Sequence, residues 1–275
     1  MKLCRGLIIF LFLTSCSRMD VAVSLAPRFI ANEVDEALDL ESDRYKKIKA
    51  SIAADIGRNK DPLFEEIIIR IDQLLLLTEK KELTTEDLRL LFVDFKELQK
   101  RTVYAFKTSF SEVILPITRS EVKALNTYLK KKSEKQSEIF SDKNKYLRHF
   151  FKGFDHYVEI FFDSGSREQE ALFREFLDAN LDYFKMRSQS RFTGNRQFET
   201  LFERKADLLD YNLKFYAGDA ATKSEEFIKR QDSYNESMLA FAGRFWGLTS
   251  LGQKNYFRKY LTNLKEELKK LITKE

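Results

Sequence analysis

Apolar residues along this chain recur at spacings of three and four, and two-residue alternation is nearly absent. Phe64, Ile67, Ile68, Ile71, Leu74 and Leu75 form one stripe, and Leu88, Leu91, Phe92, Phe95 and Leu98 another. A third is unusually aromatic: Leu147, Phe150, Phe151, Phe154, Tyr157, Val158, Phe161 and Phe162. Phe173, Phe176, Leu177, Leu181 and Phe184 follow, and Phe257, Tyr260, Leu261, Leu264, Leu268 and Leu271 close the series. An α-helix turns once every 3.6 residues, so each stripe is one helical face that needs a core. The pattern predicts an all-α protein of about ten helices, near 27–38, 41–57, 62–80, 85–113, 119–141, 143–163, 167–187, 196–217, 223–246 and 251–272.

Polar punctuation supports these boundaries. Thr84 with Asp87, Thr118 with Glu121, Ser166 with Gln169, Thr222 with Glu225 and Ser250 with Gln253 each set a hydroxyl three residues before an acid or amide. In that capping box the hydroxyl accepts a first-turn N–H, and the later side chain reaches back to the cap's own N–H. Asp61-Pro62 suggests another start, with proline where no N–H is needed. Gly57, Pro116, Gly218 and Gly247 read as stops. The connections are short, so sequence neighbours should pack antiparallel in a helical bundle. Ser188 to Asn195, with Ser188, Ser190, Thr193 and Gly194, reads as a loop at which two lobes could meet, although stripes on both sides favour one continuous domain over 27–275.

The first sixteen residues follow a different logic. Lys2 and Arg5 make a basic head, Leu7 to Leu13 an apolar run, and Leu13-Thr14-Ser15-Cys16 fits a lipobox. Seven apolar residues rise only about 10 Å as a helix, against a hydrocarbon core of about 30 Å, so this is a leader and not a span. Small side chains at Thr14 and Ser15 admit a peptidase, and the Cys16 thiol takes a diacylglycerol group. Residues 1–15 are thus expected to be a signal peptide and 16–26 a lipidated cysteine with its tether. At about 0.8 kcal/mol per buried methylene, two or more acyl chains such as palmitate give stable membrane attachment. Ser17, in place of an aspartate, favours the outer membrane, with the body facing the periplasm.

Composition narrows the chemistry. Cys4 leaves with the leader and Cys16 is blocked by lipid, so no disulfide-linked partner and no thiolate metal site are expected. Loss of Lys2 and Arg5 takes the basic count from 48 to 46 against 43 acids, a formal charge of +3. The two signs are interspersed, which predicts no nucleic-acid binding. Lys130, Lys131, Lys132 and Lys135 are interrupted by Ser133 and Glu134 and read as a solvated helix face. His149 and His156 lack the Glu-x-x-His pattern of di-iron bundles, because Tyr146 and Gly153 hold the acid positions. No phosphate-binding glycine loop, nucleophile elbow or zinc-protease motif is present, so no cofactor and no metal are expected.

The chain resembles a family of Gram-negative helical lipoproteins known only as a domain of unknown function. The resemblance is carried by the lipobox, Val34-Asp35-Glu36-Ala37-Leu38-Asp39-Leu40, Arg58 with Asp61-Pro62, Ile117-Thr118-Arg119-Ser120-Glu121, and Trp246-Gly247-Leu248-Thr249 with Gln253. Members tend to have Gln where this chain has Asp43 and Glu121, which would make it divergent. A lipidated all-helical envelope protein is implied, and no activity. A weaker likeness is to small periplasmic chaperones with repeated Leu-Thr-x-x-Gln helix starts, through Leu83-Thr84 and Leu248-Thr249.

The expected role is therefore a non-enzymatic interaction or scaffold protein of the envelope, with an envelope protein as partner. A carrier or chaperone for apolar ligands or unfolded clients is the alternative, with Phe150, Phe151, Phe154 and Phe161 as the wall of an apolar groove. A hydrolase working through paired carboxylates is a lesser one. Core and groove differ in an observable way: a groove leaves a contiguous exposed apolar patch above about 400 Å².

Overall fold

A computed structural model describes residues 18–273 of the chain. Ten α-helices, one 3-10 turn and no strand occur among the described residues, as the all-α expectation requires. They are α1 (Arg18–Leu38), α2 (Ser42–Thr78), α3 (Thr85–Ala105), α4 (Lys107–Ile114), α5 (Arg119–Phe140), α6 (Lys143–Phe162), α7 (Arg167–Thr200), α8 (Lys205–Ala217), the 3-10 turn (Ala220–Thr222), α9 (Glu225–Leu248) and α10 (Leu251–Thr273).

Four of the five expected capping boxes form. Thr84 with Asp87, Thr118 with Glu121 and Ser166 with Gln169 exchange both bonds at the starts of α3, α5 and α7. Ser250 and Gln253 do the same at α10. The fifth does not. Asp219 caps a 3-10 turn of its own that takes in Thr222, and Ser224 Oγ accepts the Phe227 N–H to start α9. Gly218 ends α8 in the left-handed region at φ 81°, where a residue without Cβ is unstrained.

Several boundaries differ from expectation. The breaks at Gly57 and at Asp61-Pro62 are absent, and α2 runs through both for 37 residues, about 55 Å. Glycine and proline inside a helix cost about 1 and 3 kcal/mol. Both halves of α2 offset this by packing: Ile48 and Ile52 pack around Ala31 of α1, and Phe64 and Ile71 pack with Leu261, Leu264 and Leu268 of α10. The expected helix over 85–113 instead breaks at Phe106, with no glycine or proline there. The cause is across the interface, on α2. Asp55, 1% exposed, accepts the Ser109 N–H (2.8 Å) and hydroxyl (2.6 Å), and so caps α4 from outside. Asn59 meanwhile donates to the Ala105 carbonyl at the end of α3 (3.0 Å).

The segment Ser188 to Asn195 is helical, part of the 34-residue α7. Ser188 Oγ donates to Gln136 of α5 (2.7 Å) and Asn126 of α5 donates to Glu199, so α5 splints the stretch from both ends. Gly247 likewise lies inside α9. Residues 18–26 of the expected tether are also helical: α1, described from Arg18, passes through Pro27, with Met19 buried beside Phe64 and Leu261.

The bundle is built around α2. Arg101 with Glu66 and Gln73 with Asp94 set α3 antiparallel to it. Arg258 to Thr78 and Lys265 to Asp72 do the same for α10. A second antiparallel pair joins α7 and α9 through Glu175 with Arg244, Asn180 with Ser237, and stacked Tyr183 and Tyr234. Thus the tightest partners are not always sequence neighbours.

Candidate functional site

The anchor residues Leu13, Thr14, Ser15 and Cys16 lie outside the described residues. The aromatic wall is described, and it is occupied. Phe150 packs 4.6 Å from Phe184, and Phe154 stacks on Phe173 at 4.3 Å. Phe151 meets Phe173 edge-on, and Phe161 meets Tyr260. These rings of α6 fill the space between α7, α9 and α10, and Phe150, Phe151, Phe154 and Phe161 are all half-buried. Of the core and groove readings of this stripe, the packing matches the core, because α7 and α9 bring Phe173, Phe176, Phe184, Phe241 and Phe245 to the same place. At its centre Tyr146 donates its hydroxyl to the Leu177 carbonyl (3.0 Å), and burial pushes its phenol above the usual range. His149 and His156 are exposed, and no group of three His, Cys, Asp or Glu suited to a metal occurs among the described residues.

A concave feature lies elsewhere. A cleft of about 1100 Å³ opens between α3, α7, α8, the 3-10 turn and α9. Its floor is aromatic. Tyr183 stacks on Tyr234 (4.1 Å) and lies 6.2 Å from Phe227, while Tyr211 lies 6.0 Å from Phe215. Burial raises the Tyr211 phenol above its ordinary pKa. Gln99 of α3 donates to the Tyr216 carbonyl (2.9 Å) and ties one wall to α8.

The turn after α8 builds the cationic edge. Gly218 reverses the chain, the Asp219 N–H bonds back to Lys214 O (3.0 Å), and the Asp219 carboxylate caps Ala221 (2.9 Å). Lys223 then folds onto this turn, donating to the Gly218 carbonyl and to Gln231 Oε1, both at 2.9 Å. Two of its three donors are used. Burial holds its ammonium below the usual lysine range, and Lys96 and Arg187 push the same way against Asp219 and Asp232. Lys96 and Lys100 extend the cationic edge along α3 without an ion pair among the described residues. Glu97 and Glu226 line the cleft also, equally without one.

Such a site holds a ligand by charge, hydrogen bonds and ring contact. No local sequence signal marks it: its lysines and aromatic rings come from four helices and a turn, and only the Gly218 stop was legible beforehand. The chain matches no family model, no characterised protein and no solved structure.

Proposed function

We propose that this is a lipid-anchored protein of the bacterial cell envelope, non-enzymatic, that holds an acidic segment of another envelope protein in the α3–α7–α8–α9 cleft. The observation that carries the address is Leu13-Thr14-Ser15-Cys16 directly after a basic head and an apolar run. The cleft supplies the surface: Lys96, Lys100, Arg187 and Lys223 outnumber Glu97, Asp219 and Glu226 around an aromatic floor, and a carboxylate-bearing chain held on the lysine side complements them. An apolar carrier is less well supported, because the rings of α6 are in contact with one another and with those of α7 and α9.

The test joins address and partner. In living cells a fatty-acid analogue should label the wild type and leave Cys16→Ala unlabelled. A photo-crosslinking residue in place of Lys100 should yield one discrete envelope-protein adduct. That adduct should be lost in Lys96→Glu/Lys223→Gln, a variant whose circular dichroism and melting temperature are checked against wild type. An unlabelled wild type, or an adduct indifferent to the charge changes, would overturn the reading.

A further inference from the structure

Helix α1 has two contrasting faces. Met19, Ala26, Ala31 and Leu38 turn into the body and are buried. On the outside, Val21, Leu25 and Phe29 are 53%, 40% and 53% exposed, spaced by four. At 100° per residue they share an arc of about 100° with Arg28 and Asn32. No carboxylate lies on that arc before Glu36. Three large apolar side chains in a line, with one cation beside them, are costly in water and suited to the boundary between lipid headgroups and acyl chains.

The position of the line identifies what covers it. Cys16 lies two residues before Arg18, a link of at most about 7 Å. From Arg18 the helix rises 1.5 Å per residue, which puts Phe29 about 17 Å along its axis. An acylated Cys16 therefore delivers one end of the apolar line to the bilayer. Met19 and Ala26, docked on the body, leave α1 no freedom to hang away from it. The line runs within about 26° of the helix axis, so all three side chains reach the lipid together only when the axis lies close to the membrane plane.

We infer that α1 is a membrane-surface helix: it lies flat in the headgroup region with Val21, Leu25 and Phe29 in the acyl boundary, and so holds the whole body in one orientation. Arg28 reaches lipid phosphates from the same face. This rests on the acylation of Cys16 proposed above, and it replaces a swinging tether with a fixed mount.

The experiment uses the full acylated protein in phosphatidylethanolamine–phosphatidylglycerol vesicles. Once the leader carrying Cys4 is removed, Cys16 is the sole remaining cysteine, so single nitroxide labels can be placed at Leu25→Cys and, on α7 behind α5, at Asp182→Cys. The Leu25 label should be severalfold more accessible to oxygen than to a water-soluble nickel chelate, and the Asp182 label the reverse. In a Val21→Ser/Leu25→Ser/Phe29→Ser background the protein should stay vesicle-bound while the Asp182 label gains mobility. Mass spectrometry of the amino-terminal peptide separates the two ways of failing. Acylated Cys16 with a water-exposed Leu25 label overturns the surface helix and leaves the lipoprotein standing. An unmodified Cys16 overturns both.

Discussion

Tyr260 shows what burial does to a single residue. It belongs to the carboxy-terminal apolar stripe, and its ring sits edge-on against Phe161, 5.1 Å away. Burial first, then the charges of Glu267 and Tyr256, push its phenol from the ordinary 10.0 up to about 12. The unfolded chain loses this proton near pH 10, while the folded protein keeps it until about pH 12. Stability is therefore full below the unfolded pKa, falls as pH rises between the two values, and levels above them. Urea midpoints measured across pH 9–12 should show this fall, and Tyr260→Phe should make it shallower, with the buried Tyr146 and Tyr211 phenols keeping the remainder. An unchanged slope would place the alkaline transition elsewhere. Periodicity found Tyr260 because it is apolar in pattern. It could not find Asp55, which pairs with Arg58 on its own helix but caps through Ser109, 54 residues away on another. A buried carboxylate has no signature of its own until the fold supplies the donors.

At the scale of elements, glycine makes the sharpest contrast between local preference and packing. Gly57 has the local signature of a stop yet lies inside α2, exposed, with nothing within 4 Å of where a Cβ would stand. Gly218 ends α8 at φ +81°. Gly57→Ala should thus stabilise the protein by about 0.5–1 kcal/mol, and Gly218→Ala should destabilise it by about 1 kcal/mol, read as opposite shifts in thermal midpoint. Shifts of one sign would contradict these environments. Capping boxes were legible because their chemistry is complete within four residues. The missing break at Pro62 and the extra one at Phe106 were not, since partners on other helices decide both. The same holds for Ser188 to Asn195, where α5 makes helix the better state for residues that prefer turns.

For the whole molecule, rings link the core clusters. Leu268 is fully buried where α10 meets α2, and Leu177 where α7 meets α6 and α9. Between them Phe257 contacts Phe161 and Phe162, Phe162 contacts Phe245, and Phe245 contacts Phe154 and Phe241. Leu268→Ala and Leu177→Ala should each cost about 2–5 kcal/mol. Calorimetry of either variant should show one transition moved down as a unit. A variant that melts only one part, in two peaks, would mean the cores are uncoupled.

The sequence alone determined the helical class, the number of helices to within local merges and splits, most of the caps, and the expectation of a lipid-bearing cysteine. All of these depend on residues within a turn or two of each other, or on a short linear motif. Tertiary structure decided that the aromatic stripe is core, that residues 18–26 of the expected tether are a docked helix, and that lysines and aromatic rings from four helices share one cleft. Each of these depends on which surfaces meet across the bundle, and a helical face states only that it needs a partner, never which one.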